Sequence, residues 1–238
     1  MGNVWYTSDE HLEHEAILRF CNRPFKTVEE CREAMLANHN ELVKPGDIVY
    51  HVGDMFWRTC TEAIALDYMS RLNGNHYYVR GNHEELIDRS PKLRAKFVWI
   101  KERAFLHSNA EYGTPKIVLD HYAGLVWAGS HNGTWQLYGH SHGELSKAIP
   151  DQATAAKLNS FDIGVDCWDY KPVSHEQVVA RMKAKWAKSG YTKHTCPACH
   201  HSFSNFSQYD EICSRCLERM VIDNGIQEAD EDVKDNGV

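Results

Sequence analysis

Apolar positions along this chain fall into short runs separated by polar turns, and two periodicities alternate. Residues 3–8 and 48–52 are short, nearly continuous apolar runs, the pattern of strands buried on both faces. Between them the period becomes helical. One helix is predicted over 11–20, stopped by Asn22-Arg23-Pro24-Phe25, and a second over 28–43, where Thr27 with Glu30 three residues on forms a capping box. Lys44-Pro45-Gly46-Asp47 is a turn, 61–72 a further helix, and Tyr77-Tyr78-Val79 a third strand, with a helix starting near Glu84. Strand-like runs follow at 97–100, 116–119, 134–138 and 161–165, and an amphipathic helix covers 173–188. Early strands alternate with helices and later strands read as a meander. The pattern predicts an α/β (α+β) chain with two sheets between helical layers, a four-layer α/β/β/α sandwich.

Length and composition set the domain plan. The 238 residues suffice for one substantial domain plus an appendage, divided as 1–189, 190–222 and an acidic tail at 223–238. With 42% hydrophobic and 25% charged residues the chain can bury a core. No apolar run approaches the roughly 20 residues that span a bilayer. The first residues lead straight into a strand pattern without a signal peptide's regions, and Tyr6 stands where a myristoylation signal needs Ser or Thr, so a cytoplasmic location and no membrane partner are expected. Of the net charge of −7, the tail from Asp223 to Val238 carries −5 (six acids, one Lys), which leaves the body near neutral. A body without a large basic footprint gives nucleic acid only weak support as a partner.

Candidate chemistry sits where the strands end. Five such ends carry Asp9 and His11, then Gly53-Asp54, Gly81-Asn82-His83-Glu84, Asp120-His121, and Gly139-His140-Ser141-His142. Residues at i and i+2 of an extended segment point to one side, so Asp9/His11 and His140/His142 can each face one site. Carboxylates, imidazoles and one amide form an oxygen–nitrogen set suited to two divalent ions such as Mn, Fe, Ni or Zn.

The order DxH, GD, GNHE, H, GHxH resembles the calcineurin-like metallophosphoesterase superfamily over residues 3–188. The resemblance implies that Asp9, His11, Asp54 and His142 hold one ion. It implies that Asn82, His121, His140 and a bridging Asp54 hold the other, and that His83 is a catalytic non-ligand. Cys21-Asn22-Arg23-Pro24-Phe25, Gly164-Val165-Asp166 and Tyr170-Lys171-Pro172-Val173-Ser174 resemble recurrent segments of its small bacterial and phage members. Arg58 falls four residues after Asp54, as an Arg does in the Ser/Thr protein phosphatase branch, but Trp57 and Thr59 depart from that pattern. Arg58 and Arg23 are candidate phosphate clamps, because a guanidinium matches phosphate geometry. The activity implied is hydrolysis of phosphate esters by a hydroxide bridging two ions, with His83 protonating the leaving oxygen or stabilising its charge. A nucleotide-like phosphodiester is the leading substrate. A protein-phosphatase-like monoesterase and a nuclease are alternatives within the class, and a zinc-ribbon adaptor lies outside it.

Other residues divide between packing and function. His51 reads as a core residue and His14 as a packing or capping one; His131, with Asn132, could border the substrate. Trp127 and Trp135 read first as core, with base stacking the sharper reading. Near the C-terminus, Cys196-Pro197-Ala198-Cys199 and Cys213-Ser214-Arg215-Cys216 form two knuckles thirteen residues apart. Four thiolates close a tetrahedral structural zinc site, and a segment this short folds through its metal. Cys21, Cys31, Cys60 and Cys167 read as ordinary thiols.

Overall fold

Three parallel strands form the middle of the first sheet: β1 (Val4–Thr7), β2 (Ile48–Val52) and β3 (Asn75–Val79). Parallel neighbours require crossovers, and helices supply them. α1 (Glu15–Phe20) and α2 (Val28–Leu42) connect β1 to β2, and α3 (Glu62–Arg71) connects β2 to β3. α4 (Glu85–Arg89) and α5 (Pro91–Arg94) lead to β4 (Ile100–Lys101), which extends the sheet beside β3. The second sheet takes β5 (Ala104–Leu106), β6 (Ile117–Leu119), β7 (Trp135–Tyr138) and β8 (Ser160–Asp162), in that order. β9 (Val173–Ser174) returns antiparallel to β1, and α6 (His175–Ser189) follows. This computed structural model describes residues 2–107, 114–145, 159–189, 192–195 and 202–205. By contacts the chain divides into Met1–Ser189 and Gly190–Val238. The second unit contains β10 (Thr192–Thr195) paired antiparallel with β11 (Ser202–Asn205). Cys196, Cys199, Cys213, Cys216 and the acidic tail lie outside the described residues. No described helix is long and apolar enough to cross a membrane.

Strand alternation sorts the core into two layers. Tyr6, Val52 and Val79 turn toward the second sheet and pack with Ile117, Leu119, Trp135, Leu137 and Phe161. α6 joins this layer through Val178 and Met182. The opposite face, carrying Tyr78, packs under the helices with Met35, Leu36, Tyr68, Met69 and Leu93. Thr27 and Thr61 cap α2 and α3, accepting from Glu30 N and Ile64 N respectively.

Several elements depart from the pattern-based expectation, each for a local reason. The helix predicted from residue 11 starts at Glu15, because Asp9, His11 and Glu13 have φ of 61°, 49° and 67°. Left-handed residues cannot belong to a right-handed helix. His11 N and Leu12 N instead donate to Asp54 O and Met55 O, so the segment runs on beside the end of β2. The second sheet is not a meander: β6, β7 and β8 are mutually parallel, and only β5 is antiparallel to its neighbour. Long connections, 120–134 and 139–159, allow that. The strand predicted over 161–165 ends at Asp162. Ile163 N donates to Tyr138 O in the second sheet and Val165 N to Ser8 O in the first, so this segment crosses between sheets. The closing helix begins at His175, with Ser174 and Gln177 forming a reciprocal capping box, and Val173–Ser174 pairs as β9.

Candidate metal centre

The parallel strands β1, β2 and β3 end side by side, and the turns that follow them carry Asp9/His11, Asp54 and Asn82/His83. β6 and β7, pairing parallel in the second sheet, end at His121 and His140/His142. Two clusters of ligand-type atoms result, Asp9–His11–His142 and Asp54–His121–His140. One carboxylate oxygen joins them. Asp54 Oδ2 lies 3.7 Å from His11 Nε2 and 3.4 Å from His121 Nε2. His11 Nε2 stands 3.9 Å from Asp9 Oδ1, and His121 Nε2 3.1 Å from Asn82 Oδ1.

Most of these separations exceed hydrogen-bond length. They suit atoms sharing an ion, since two ligands each roughly 2.0–2.2 Å from one cation lie further apart than hydrogen-bonded partners. The donor set therefore fits divalent ions. Backbone hydrogen bonds hold the carboxylates in place. Asp54 Oδ1 accepts from Asn82 N and His83 N, both at 2.9 Å, and the Asp9 carboxylate accepts from His140 N at 3.0 Å. His121 Nδ1 lies 2.8 Å from Val52 O, so a proton there donates to the carbonyl and leaves Nε2 as the ligating atom.

Backbone strain concentrates at the same residues. Nine non-glycine residues among those described have positive φ, and five of them are candidate ligands: Asp9, His11, Asp54, His140 and His142. Such clustering marks functional sites rather than ordinary turns. Gly81 and Gly139 are required by close approach: a Cβ at Gly81 would overlap Asp54 Oδ1, and one at Gly139 would overlap Ser8 Oγ and Asp9 Oδ2.

Burial sets the electrostatics. Asp9, His11, Asp54 and His121 are all buried. Burial pushes Asp9 up to about 7 and His11 down to about 2, which keeps His11 neutral and ready to ligate. Burial also opposes ionisation of Asp54, but the His121 and His11 imidazoles and the His83 N–H outweigh it and hold the carboxyl at about 2. Asp54 thus stays anionic between the two clusters.

His83 sits beside this centre, with Nε2 4.0 Å from Asp54 Oδ2 and 28% of its side chain exposed. Its ring lies 4.3 Å from Trp57, which stacks on His14 at 3.7 Å and 7°. His14 is therefore a packing residue. Arg58 is exposed, with its guanidinium 5.5 Å from the Trp57 ring.

Arg23 corrects its expected role as a phosphate clamp. Its side chain is fully buried and its donors go inward, to Asp9 O, Glu10 O and the Asp166 carboxylate. The tryptophans are core residues: Trp135 is 2% exposed, and buried Trp127 donates to Thr134 O, so neither offers a face for base stacking. His51 is buried, bonded to His76 Nδ1 at 3.0 Å. His131 is exposed and lies 3.2 Å from its neighbour Asn132.

Four contributors carried no role in the sequence reading. Glu84 Oε1 accepts from Gly81 N, Asp54 N and Tyr78 Oη, which locks two of the turns together. Its place in the Gly81–Glu84 motif was the available signal. Asp166 stood in the Gly164-Val165-Asp166 segment without a role, and Trp57 and Tyr122 have no signal that composition reveals. Tyr122 reaches Asn82 Oδ1 at 3.3 Å and its ring lies 4.8 Å from that of His140. Asp166 contacts His142 Nδ1 at 2.7 Å.

Fold and site together give a two-sheet α/β domain whose strand ends carry two clusters of residues that could hold divalent ions. The chain belongs to the calcineurin-like phosphoesterase family, whose profile matches residues 2–188, and members of that family are hydrolases of phosphate esters that use divalent metals. An uncharacterized protein of Methanocaldococcus jannaschii is 31% identical over 179 residues, 75% of this chain and 90% of that one. The crystal structure of a protein of unknown function from Aquifex aeolicus aligns with a TM-score of 0.58 and 22% identity, over 76% of this chain and all of the other, a likeness of fold.

Proposed function

We propose that this chain is a dinuclear metal-dependent phosphoesterase, acting on nucleotide-like phosphodiesters. The observation that carries the reading is the position of Asp54 Oδ2, within 3.7 Å of nitrogens belonging to both ligand clusters. In this reading Asp9, His11, Asp54 and His142 hold one ion, and Asp54, Asn82, His121 and His140 the other, with Mn, Fe, Ni or Zn as the metals. When bound, such a pair supplies Lewis-acid charge for the phosphoryl oxygens and acidifies a water for attack on phosphorus. The protein's own part is positioning and proton transfer. His83 protonates the leaving oxygen, and its partial exposure leaves it open to substrate. Trp57 packs against the His83 ring, and in this reading Arg58, exposed beside Trp57, meets a second phosphate or the alcohol side of a diester. We read residues 1–189 as the catalytic domain of a four-layer sandwich, a reading supported by the two sheets and by the helices over the first of them. Residues 190–222 form a zinc ribbon on Cys196, Cys199, Cys213 and Cys216, a reading supported by the β10–β11 hairpin, whose connection contains the first knuckle.

The test combines a Mn-supplemented screen of phosphomonoesters, cyclic nucleotides, dinucleotides and single-stranded DNA with the His83→Ala variant. The variant is expected to keep both ions and lose about 10²–10⁴-fold in rate on unactivated esters, less on activated aryl esters. Equal losses on both would refute the general-acid role, and fewer than two ions in the wild-type protein would refute the dinuclear site. Cys213→Ser should release one zinc and leave hydrolysis of a small activated ester intact; complete loss with the core folded would refute the division into domain and ribbon.

A further inference from the structure

We propose that Asp166, oriented by Arg23, is a positioning residue for the ion site made by Asp9, His11 and His142. This inference rests on the reading of that cluster as an ion site and adds the residues that set its geometry.

Asp166 reaches the site because the segment after β8 crosses between the sheets. Gly164 bridges to Ser8, and its Cβ would lie 2.9 Å from both Asp162 Oδ1 and Asp9 Oδ2, so only glycine lets the chain pass this close. The two acids flanking that glycine then grip one turn. Asp162 Oδ2 accepts from Ser141 Oγ at 2.6 Å and Gly143 N at 2.9 Å, and Asp166 Oδ2 takes His142 Nδ1 at 2.7 Å. A carboxylate on Nδ1 fixes the proton there, leaves Nε2 with the lone pair, and makes that nitrogen a stronger donor to an ion.

Arg23 supplies the orientation. Its Nε donates to Asp166 Oδ1 at 2.8 Å and its Nη2 to Asp166 Oδ2 at 2.9 Å. The remaining donors close on the other flank, Nη1 to Glu10 O and Nη2 to Asp9 O, both at 2.8 Å. One buried guanidinium therefore spans the Asp9–His11 segment and the carboxylate behind His142. Those three ligands have φ of 61°, 49° and 45°, conformations that persist only where the surroundings dictate them. Among the described residues no carboxylate stands behind His121 in the second cluster, where the Nδ1 partner is the neutral Val52 carbonyl. The Cys21 thiol approaches His142 and Asp166 in the same corner, but the Arg23 bonds already commit Asp166, so this trio is outer support rather than a third ion site.

The experiment is a Mn(II) titration of the metal-free full-length protein, followed by electron paramagnetic resonance, in wild type and Asp166→Asn. The amide keeps shape and removes the charge, and outer-shell changes of this kind cost about 10–100-fold in metal affinity. One of the two binding steps is expected to weaken by that factor and the other to stay unchanged. Asn82→Ala, which leaves the Asp9–His11–His142 set whole, identifies the step: adding Asp166→Asn to it should weaken the tighter remaining ion. Arg23→Lys, which keeps the charge and loses the bidentate fork, should weaken the same step by a smaller factor, and it serves if Asp166→Asn does not fold. The His142 ring nitrogens give a second readout, their ¹⁵N shifts moving away from an Nδ1–H tautomer in metal-free Asp166→Asn. Unchanged affinities in folded Asp166→Asn, or equal weakening of both steps, would overturn the proposal. A wild-type protein that binds fewer than two ions would overturn the dinuclear reading instead.

Discussion

Replacing Gly81 with alanine tests whether Asp54 must stand at one point for both ion sites. Gly81 does not have a left-handed φ, so alanine is compatible with the backbone, and the perturbation is steric alone. Its new Cβ would overlap Asp54 Oδ1 and lie 2.9 Å from Asp54 Cγ and Asp54 N. The main chain at Asp54 is held by the Glu84 carboxylate, so the Asp54 side chain has to yield, by roughly 1 Å, while the Gly81 backbone shifts to clear Asp54 N. That motion weakens the bonds from Asn82 N and His83 N and draws Oδ2 off the point 3.4 Å from His121 Nε2 and 3.7 Å from His11 Nε2. Ligand distances tolerate only about 0.2 Å, so both ions should be lost or greatly weakened. The metal-free fold should lose about 1–3 kcal/mol to overpacking, offset by about 0.4–1 kcal/mol from a less flexible unfolded chain. In wild type, ligand at 100 times its dissociation constant adds about 2.7 kcal/mol per site, and the variant should forgo it. Urea unfolding of chelated and Mn-saturated samples reads both terms, with Gly46→Ala, which meets nothing within 4 Å, as the control. Two ions bound to Gly81→Ala at wild-type affinity would refute the reasoning.

Three further expectations follow from the same geometry. Burial holds His39 neutral, with its pKa pushed down to about 4, below the roughly 6.5 of a free imidazole. The unfolded chain therefore takes up the proton first. Stability is full above about pH 6.5 and falls between there and pH 4, by up to about 3 kcal/mol; His39→Gln should flatten that slope in urea midpoints of metal-free protein, and an unchanged slope would refute it. Chelation should remove the ions in order, because Asp9 and His11 are buried while His140 and Asn82 are exposed, so stopped-flow with a chelator should show two phases and Asn82→Ala should abolish the faster one. Trp57→Ala should retain both ions and lose roughly 10–100-fold in kcat/KM through a looser His83, with a shifted pH profile; loss of ion binding would show that Trp57 supports the ligands instead.

Much of the fold could be read from period alone, because β1, β2 and β3 are buried on both faces and their helices carry Thr caps at Thr27 and Thr61. What escaped was decided by tertiary pairing. β9 is two residues long and reads as the first turn of the helix it precedes. Residues 11–14 have helical polarity but left-handed turns, since His11 and Leu12 pair with the end of β2. The ligand-type residues stood out as polar groups at the ends of apolar runs. Arg23 and Asp166 stood out only within separate segments, Arg23 as a candidate phosphate clamp; their pairing did not, because an acid and a base 143 positions apart carry no periodic signal, and the sheet crossing at Gly164 brings them together.

The strain at the ligands argues for function over architecture. Each non-glycine residue in a sparsely populated conformation costs of order 1–3 kcal/mol, and Asp9, His11, Asp54, His140 and His142 all occupy one. A structural turn would place glycine or asparagine there and relieve the cost. Here the glycines occupy the neighbouring positions, Gly53, Gly81 and Gly139, where they let the carboxylates and imidazoles approach closely, and the strained positions keep their ligating side chains. The restraint comes from groups whose only common target is the site: Glu84 on the Asp54 and Gly81 turns, His140 N on Asp9, Arg23 on Asp9 and Asp166. On the proposed reading, stability spent to hold these five candidate ligands in place is returned when ions bind, and preorganised donors then need no rearrangement as charge develops on a phosphoryl group.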